Sequence, residues 1–141
     1  MKVRRVNRYY CDFCKKANCS GASISTHEQH CTKNPKRTCR MCKVLLEQEQ
    51  PSTDALLATL PDPEQFKRLI DGTGGMYYFE FGDALGPALT ALRKAAGNCP
   101  ACIMAACRQK GIPVVAFSDF NFTKESKSLW ADYNDARSDH Y

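Results

Sequence analysis

Nowhere does the chain carry the roughly 18 consecutive apolar residues that a membrane-spanning helix requires. The opening stretch from Met1 to Arg8 is basic and lacks the apolar centre of a secretory signal. No low-complexity tract, no internal repeat of roughly 20–50 residues, and no Gly-Lys-Ser/Thr after the glycine-rich Asp71 to Gly75 turn is present. These absences exclude a bilayer-spanning helix, a solenoid and a phosphate loop, and they set the expected location as the cytoplasm. Histidine is scarce, at three residues, and tryptophan occurs once, but cysteine occurs nine times. Reducing compartments keep thiols free and an odd count cannot pair completely, so these cysteines read as metal ligands rather than disulfides.

Hydrophobic residues make up 43% of the 141 positions and charged residues 25%, the balance of a folded chain. The length suits one domain, or a metal-stapled module joined to a modest core, since single domains run about 100–150 residues. Charge is unevenly placed. Residues 1–46 hold eleven Lys/Arg against Asp12 and Glu28, a balance of +9, whereas residues 47–141 hold nine against thirteen acidic residues, a balance of −4. A basic block of this kind implies a polyanionic partner, nucleic acid ahead of an acidic protein surface, and the lack of a long apolar run sets the expectation of no membrane partner.

The polar, proline-bearing segment 47–54 reads as a linker between a basic zinc-binding module, residues 1–46, and an α+β domain, residues 55–141. In that domain Thr53 or Asp54 caps a short helix through Leu60. Asp62-Pro63-Glu64 then has the form of a helix start, with Phe66, Leu69 and Ile70 as its buried face. Met76 to Phe81, aromatic and bounded by glycine, predicts a strand. Leu85, Leu89 and Leu92 mark a helix stopped by Gly97, and Cys99 to Lys110 a second stopped by Gly111. Ile112 to Phe117 predicts another strand, followed by an amphipathic helix through Leu129, Trp130 and Tyr133. The order is helix, strand, helix, helix, strand, helix.

Zinc takes four thiolate or imidazole ligands in a tetrahedron, and two cysteines separated by two residues reach one ion together. Cys11 and Cys14 form such a pair. Twelve residues separate Cys14 from His27, and three separate His27 from Cys31, which puts the last two donors one helical turn apart on one face. The pattern resembles the zinc finger family in its Cys-Cys-His-Cys variant, over residues 9–31, with Tyr9 and Ile24 at the family's core positions. The resemblance implies a ββα-like or knuckle-helix module. His30 is the alternative fourth ligand, which would give the Cys-Cys-His-His type; the i+4 relation to His27 favours Cys31. Two positions depart from the family: Cys19 stands near its aromatic core position, and Ser20-Gly21-Ala22 is a weak helix start.

Cys39 and Cys42 form a second pair, and Cys99 and Cys102 a third in the other half of the chain. If these two pairs share one ion, an all-cysteine site clamps the halves together across a long loop, and the protein holds two zinc ions. Cys19 and Cys107 are left as small core hydrophobes.

Three chemistries compete with structural zinc. Cys99-Pro-Ala-Cys102 at a helix start has the form of a redox dithiol of the thioredoxin family, but that family leads into its motif with a strand, where this chain has Lys94 to Asn98. His27-Glu28-Gln29-His30-Cys31 approaches the metalloprotease pattern His-Glu-x-x-His. Its fifth position is cysteine, and a fully coordinated ion leaves no place for a reacting water. His30 and Asn34, with the distant Asp139-His140, invite comparison with zinc nucleases of the His-Asn-His class, without the partner residues that would complete a catalytic set. No enzymatic activity is expected.

Docked as a DNA-reading finger, the helix would present Ser20, Ser23 and Thr26, short hydroxyls without the forked donors of Arg or the amides of Asn and Gln. The basic residues flank it instead: Arg4, Arg5 and Arg8 before, and Lys33, Lys36, Arg37, Arg40 and Lys43 after, an arrangement suited to phosphates. Tyr9, Tyr10 and Phe13 could stack on exposed bases or pack in the finger, packing being favoured for Tyr9 and the two roles evenly balanced for Tyr10 and Phe13. Two zinc ions with their seven thiolates take the formal +5 to +2, so the local distribution of charge, rather than its total, carries the argument. The sequence points to a non-catalytic zinc-binding accessory or regulatory factor that contacts nucleic acid through phosphates. The alternative is a protein-binding adaptor or inhibitor. Size and composition would suit a phage or mobile-element accessory protein.

Overall fold

The computed structural model describes residues 1–138. Tyr9–Tyr10 (β1) and Ala17–Asn18 (β2) pair antiparallel, Tyr9 against Asn18 and Tyr10 against Ala17. The turn between them carries Cys11 and Cys14 and closes with the Cys11 N–H on Lys16 O at 2.9 Å. Gly21–His30 (α1) follows. The Ser20 hydroxyl accepts from the Ser23 N–H at 3.2 Å, so a side-chain cap offsets the poor helix propensity of Gly21. Gly21 itself lies against the Tyr9 ring, where an added Cβ would meet ring carbons at 3.4 Å. Ile24 is the buried residue of α1. Isolated helices shorter than about 12–15 residues are marginal in water, so this one depends on what its ligand-bearing end is tied to.

The main core gathers around two helices, Leu85–Ala96 (α3) and Pro100–Lys110 (α4), with the short Thr53–Leu57 (α2) beside them. Ser52 caps α2, accepting from the Ala55 N–H at 3.1 Å, one residue earlier than the expected Thr53 or Asp54. Leu85, Leu89 and Leu92 bury on α3 as their spacing predicts. They join Ile103, Ala106 and Cys107 of α4, Leu56 and Leu60, and the later Ile112, Phe117 and Phe120. Cys39 and Cys42 belong to the same buried cluster, so part of the basic half is built into this core. Gly97 ends α3 at φ 60°, and a Cβ there would collide with the Gln48 amide.

Two expected elements take other forms. The helix expected from Asp62 is a single 3₁₀ turn, Pro63–Phe66, after which Lys67–Leu69 (β3) pairs antiparallel with Tyr77–Phe79 (β4). The aromatic strand needs a partner. Arg68 facing Tyr78, Lys67 with its ammonium 4.2 Å from the Tyr77 ring centroid, and Arg68 Nε 3.4 Å from Glu80 supply one at the expense of helical hydrogen bonds. Leu69 and Ile70, expected to be buried, are 69% and 41% exposed. The strand expected at Ile112 to Phe117 is a loop with one 3₁₀ turn, Val114–Ala116. Pro113 lacks an N–H for a ladder, and burial falls on Ile112 and Phe117 instead.

The last helix, Phe122–Ser138 (α5), contains no fully buried residue. It is held by a fork: Arg93 Nη1 and Nη2 donate to Glu125 at 2.7 and 3.1 Å, and Nη2 also reaches Asp119 O at 2.7 Å. The Arg93 guanidinium holds the Glu125 carboxyl below its usual value. Glu125→Gln should cost about 1 kcal/mol at neutral pH, measured by thermal unfolding or by faster amide exchange along α5. A depressed carboxylate contributes stability that is complete above the ordinary glutamate value of about 4.3 and fades as pH falls below it, so the two proteins should converge in acid.

Candidate metal centres

The ligand atoms of Cys11, Cys14, His27 and Cys31 lie within 4.8 Å of one another, and so do the sulfurs of Cys39, Cys42, Cys99 and Cys102. Each set is positioned to hold one metal ion, and the donors, three thiolates with an imidazole and four thiolates, are those that bind zinc. All nine cysteines are unpaired.

In the first set the β-turn supplies two sulfurs and the end of α1 the other two donors. Cys14 Sγ stands 3.3 Å from His27 Nε2, and the backbone N–H groups of Phe13 and Lys16 point at Cys11 and Cys14 Sγ, each at 3.4 Å. The Lys16 N–H, opposed by burial and aided by His27, pulls the Cys14 thiol down to about 7, so much of it is thiolate at neutral pH. Burial pushes Cys31 up. His30, the alternative ligand, faces away and places Nδ1 2.9 Å from Thr38 O.

In the second set Cys39 Sγ is 3.6 Å from Cys99 Sγ and Cys42 Sγ is 3.5 Å from Cys102 Sγ. Tetrahedral zinc with bonds of about 2.3 Å spaces its sulfurs about 3.8 Å apart, so the ion fits with small outward shifts. All four cysteines are almost fully buried. As bare thiols they titrate against one another: Cys39 is held low by its Cys102 and Cys99 contacts, while Cys102 is pushed up to about 12, chiefly by the Cys39 sulfur with burial adding. A divalent cation lets all four deprotonate, which no arrangement of buried thiols does alone.

Three side chains support the second set in roles the sequence did not reveal. Arg37 Nη1 donates to Cys102 Sγ at 3.7 Å, placing a positive charge against a centre that carries −2 with zinc. Gln48 Nε2 donates to Cys42 Sγ at 3.4 Å and to Ala96 O at 2.9 Å. Gln50 accepts from the Cys39 N–H at 2.6 Å and donates to Arg37 O at 2.7 Å. Both glutamines lie in the polar stretch that reads as linker, and no spacing rule distinguishes them from its other polar residues.

Of the expected phosphate contacts, Arg4, Arg5, Arg8, Lys33, Lys36, Arg40 and Lys43 are exposed, but Arg37 is not. It is 8% exposed with a buried Nε, so its charge serves the cysteines rather than a phosphate. Cys19, expected in the core, is exposed; it stands between β2 and the start of α1, and the buried apolar residue of this module is Ile24. Cys107 is buried as expected, and burial pushes its thiol up to about 12. Cys99 and Cys102, the candidate redox pair, are buried against Cys39 and Cys42, whereas a reactive dithiol needs an accessible, low-pKa thiolate. Asp139-His140 lies outside the described residues. No family model matches the chain, and no curated protein or solved structure is significantly similar to it.

Native mass spectrometry should find two zinc ions, and one in Cys99→Ser/Cys102→Ser, with the first centre still loaded. Removing the charge with Arg37→Gln should weaken zinc at the second centre roughly 10- to 100-fold in competition with a chelator and leave the first unchanged.

Proposed function

We propose that this is a non-catalytic protein, structured by zinc, that binds nucleic acid mainly through phosphates, its first module being a zinc finger of the Cys-Cys-His-Cys type. The observation that carries this reading is the set of seven exposed cations in the basic segment, Arg4, Arg5, Arg8, Lys33, Lys36, Arg40 and Lys43. Among the described residues none of the seven pairs with a carboxylate, so their charge is available to a polyanion. Each centre offers four protein donors, which leaves its ion no open position for a reacting water. The Ser20 hydroxyl, one of the three short side chains at would-be base-reading positions, is engaged in capping α1, which favours backbone contacts over base readout.

A second reading, a protein-binding adaptor or inhibitor, draws on the β3–β4 hairpin, where Leu69, Met76, Tyr77 and Tyr78 are each at least half exposed, and on Trp130 of α5, 49% exposed. A salt titration separates the two. With about four to six phosphate contacts, affinity for mixed DNA or RNA should fall roughly 10²- to 10³-fold between about 50 and 200 mM salt. No binding at the lower concentration would remove the first reading and leave the second.

A further inference from the structure

A cleft of about 630 Å³ lies between the loop that follows Cys31, the start of α2 and the end of α4, a size within the range of about 300–1,000 Å³ typical of ligand sites. Its lining brings together cations from both halves of the chain: Lys33 and Lys36 from the loop, and Arg108 from α4. Asp54 is the single carboxylate among the lining residues, leaving a surplus of two positive charges. Phe13, from the turn between the first two zinc-binding cysteines, borders the same cleft with 40% of its surface exposed.

We infer that this cleft binds single-stranded nucleic acid, with Lys33, Lys36 and Arg108 on the phosphates and a base stacked on Phe13. The inference rests on the nucleic-acid reading above and adds to it the site and the strandedness.

The cleft is built rather than incidental. Gln109 Nε2 donates to Thr32 O at 2.9 Å and to Asn34 O at 3.3 Å, and Arg108 Nη1 donates to Thr32 Oγ1 at 2.9 Å. From the other wall, Thr53 Oγ1 donates to Pro35 O at 2.7 Å. The lysine-bearing loop is thus fixed from both α4 and α2, and little ordering remains to oppose binding. Phosphates alone would not distinguish one strand from two. The aromatic face does, because a duplex keeps its bases stacked inside whereas a single strand can lay one on Phe13. Every base has such a face, so the site tolerates sequence, in keeping with an α1 that carries short hydroxyls where base readers would stand.

The test uses the full-length, zinc-loaded chain and a fluorescein-labelled oligothymidylate of about a dozen nucleotides, followed by anisotropy across a salt series. Lys33→Gln, Lys36→Gln and Arg108→Gln should each lower the log–log salt slope by about 0.7, and together weaken binding at least about tenfold. Phe13→Leu keeps the backbone N–H that faces Cys11 and should weaken binding roughly tenfold with an unchanged slope. Zinc counts by native mass spectrometry confirm that each variant is loaded; Lys33→Gln and Lys36→Gln, at exposed positions, serve where Arg108→Gln does not fold. Wild-type affinity and slope in the loaded variants would overturn the cleft and leave the broader reading intact. Equal or tighter binding of a duplex of the same length, or equal competition by polyglutamate, would overturn the strandedness or the ligand class. Failure of the wild-type protein to bind any nucleic acid at low salt would remove both readings together.

Discussion

Four sulfurs brought to one point join segments 60 residues apart, Cys39 to Cys99 and Cys42 to Cys102, at the centre of the main core. A cross-link over a loop of that length removes about 4 kcal/mol of chain entropy from the unfolded state, comparable with the total stability of many small domains. The apolar core is modest: α3 and α4 contribute five and six buried residues, two of the latter being cysteines of this chain's metal and spare-thiol set. Four thiolates repel one another unless a cation neutralises them, and the same four sulfurs sit inside the core they would help to close. Metal binding at such a site is therefore coupled to folding of this region. The supports are arranged accordingly: Arg37 against the net negative charge, Gln48 bridging Cys42 to the end of α3, and Gln50 bridging the Cys39 backbone to Arg37.

The first centre solves the same problem on a smaller scale. Two two-residue strands and a ten-residue helix bury Ile24 and little else apolar, far short of what would offset the entropy of ordering some twenty residues. What remains is the ion. Backbone N–H groups point at the Cys11 and Cys14 sulfurs, the Lys16 N–H favouring the Cys14 thiolate, and His27 and Cys31 bring the helix end to them. The surface is then free of structural duties, which is why Tyr10, Phe13 and the flanking cations stay exposed.

Metal ligands are legible in a sequence because coordination demands particular atoms at particular spacings: Cys11, Cys14 and His27 stand out on spacing alone, and the choice of Cys31 over His30 follows from the structure, where Cys31 joins the cluster and His30 lies against Thr38. Helices were legible for a related reason, since Leu85, Leu89 and Leu92 repeat at the helical period and Gly97 and Gly111 supply the left-handed stops. The hairpin was hidden because Lys67 to Ile70 is read locally as the continuation of a capped turn, whereas its strand geometry depends on Tyr77–Phe79 across a glycine loop. Ile112 and Val114 carry strand-forming side chains, yet no neighbouring strand exists for them to join among the described residues. Arg37 was misassigned for a similar reason. By type and neighbourhood it matches Lys36 and Arg40, and only the fold turns it inward, toward a cysteine 65 positions away.

That inward turn changes how the charge of the chain should be understood. The basic segment does not present one uniform surface: one member serves the second centre, while Lys33 and Lys36, held from α2 and α4, face a cleft to which the acidic half contributes Arg108. The two candidate centres reach this arrangement through different elements. Phe13 is positioned by the turn of the first centre, and α4, whose first turn carries Cys102 and whose last carries Arg108, is positioned by the second. With Phe13 set by the elements of one candidate centre and Arg108 by those of the other, the cysteines and histidine that could hold the ions also set the spacing of the groups across the cleft.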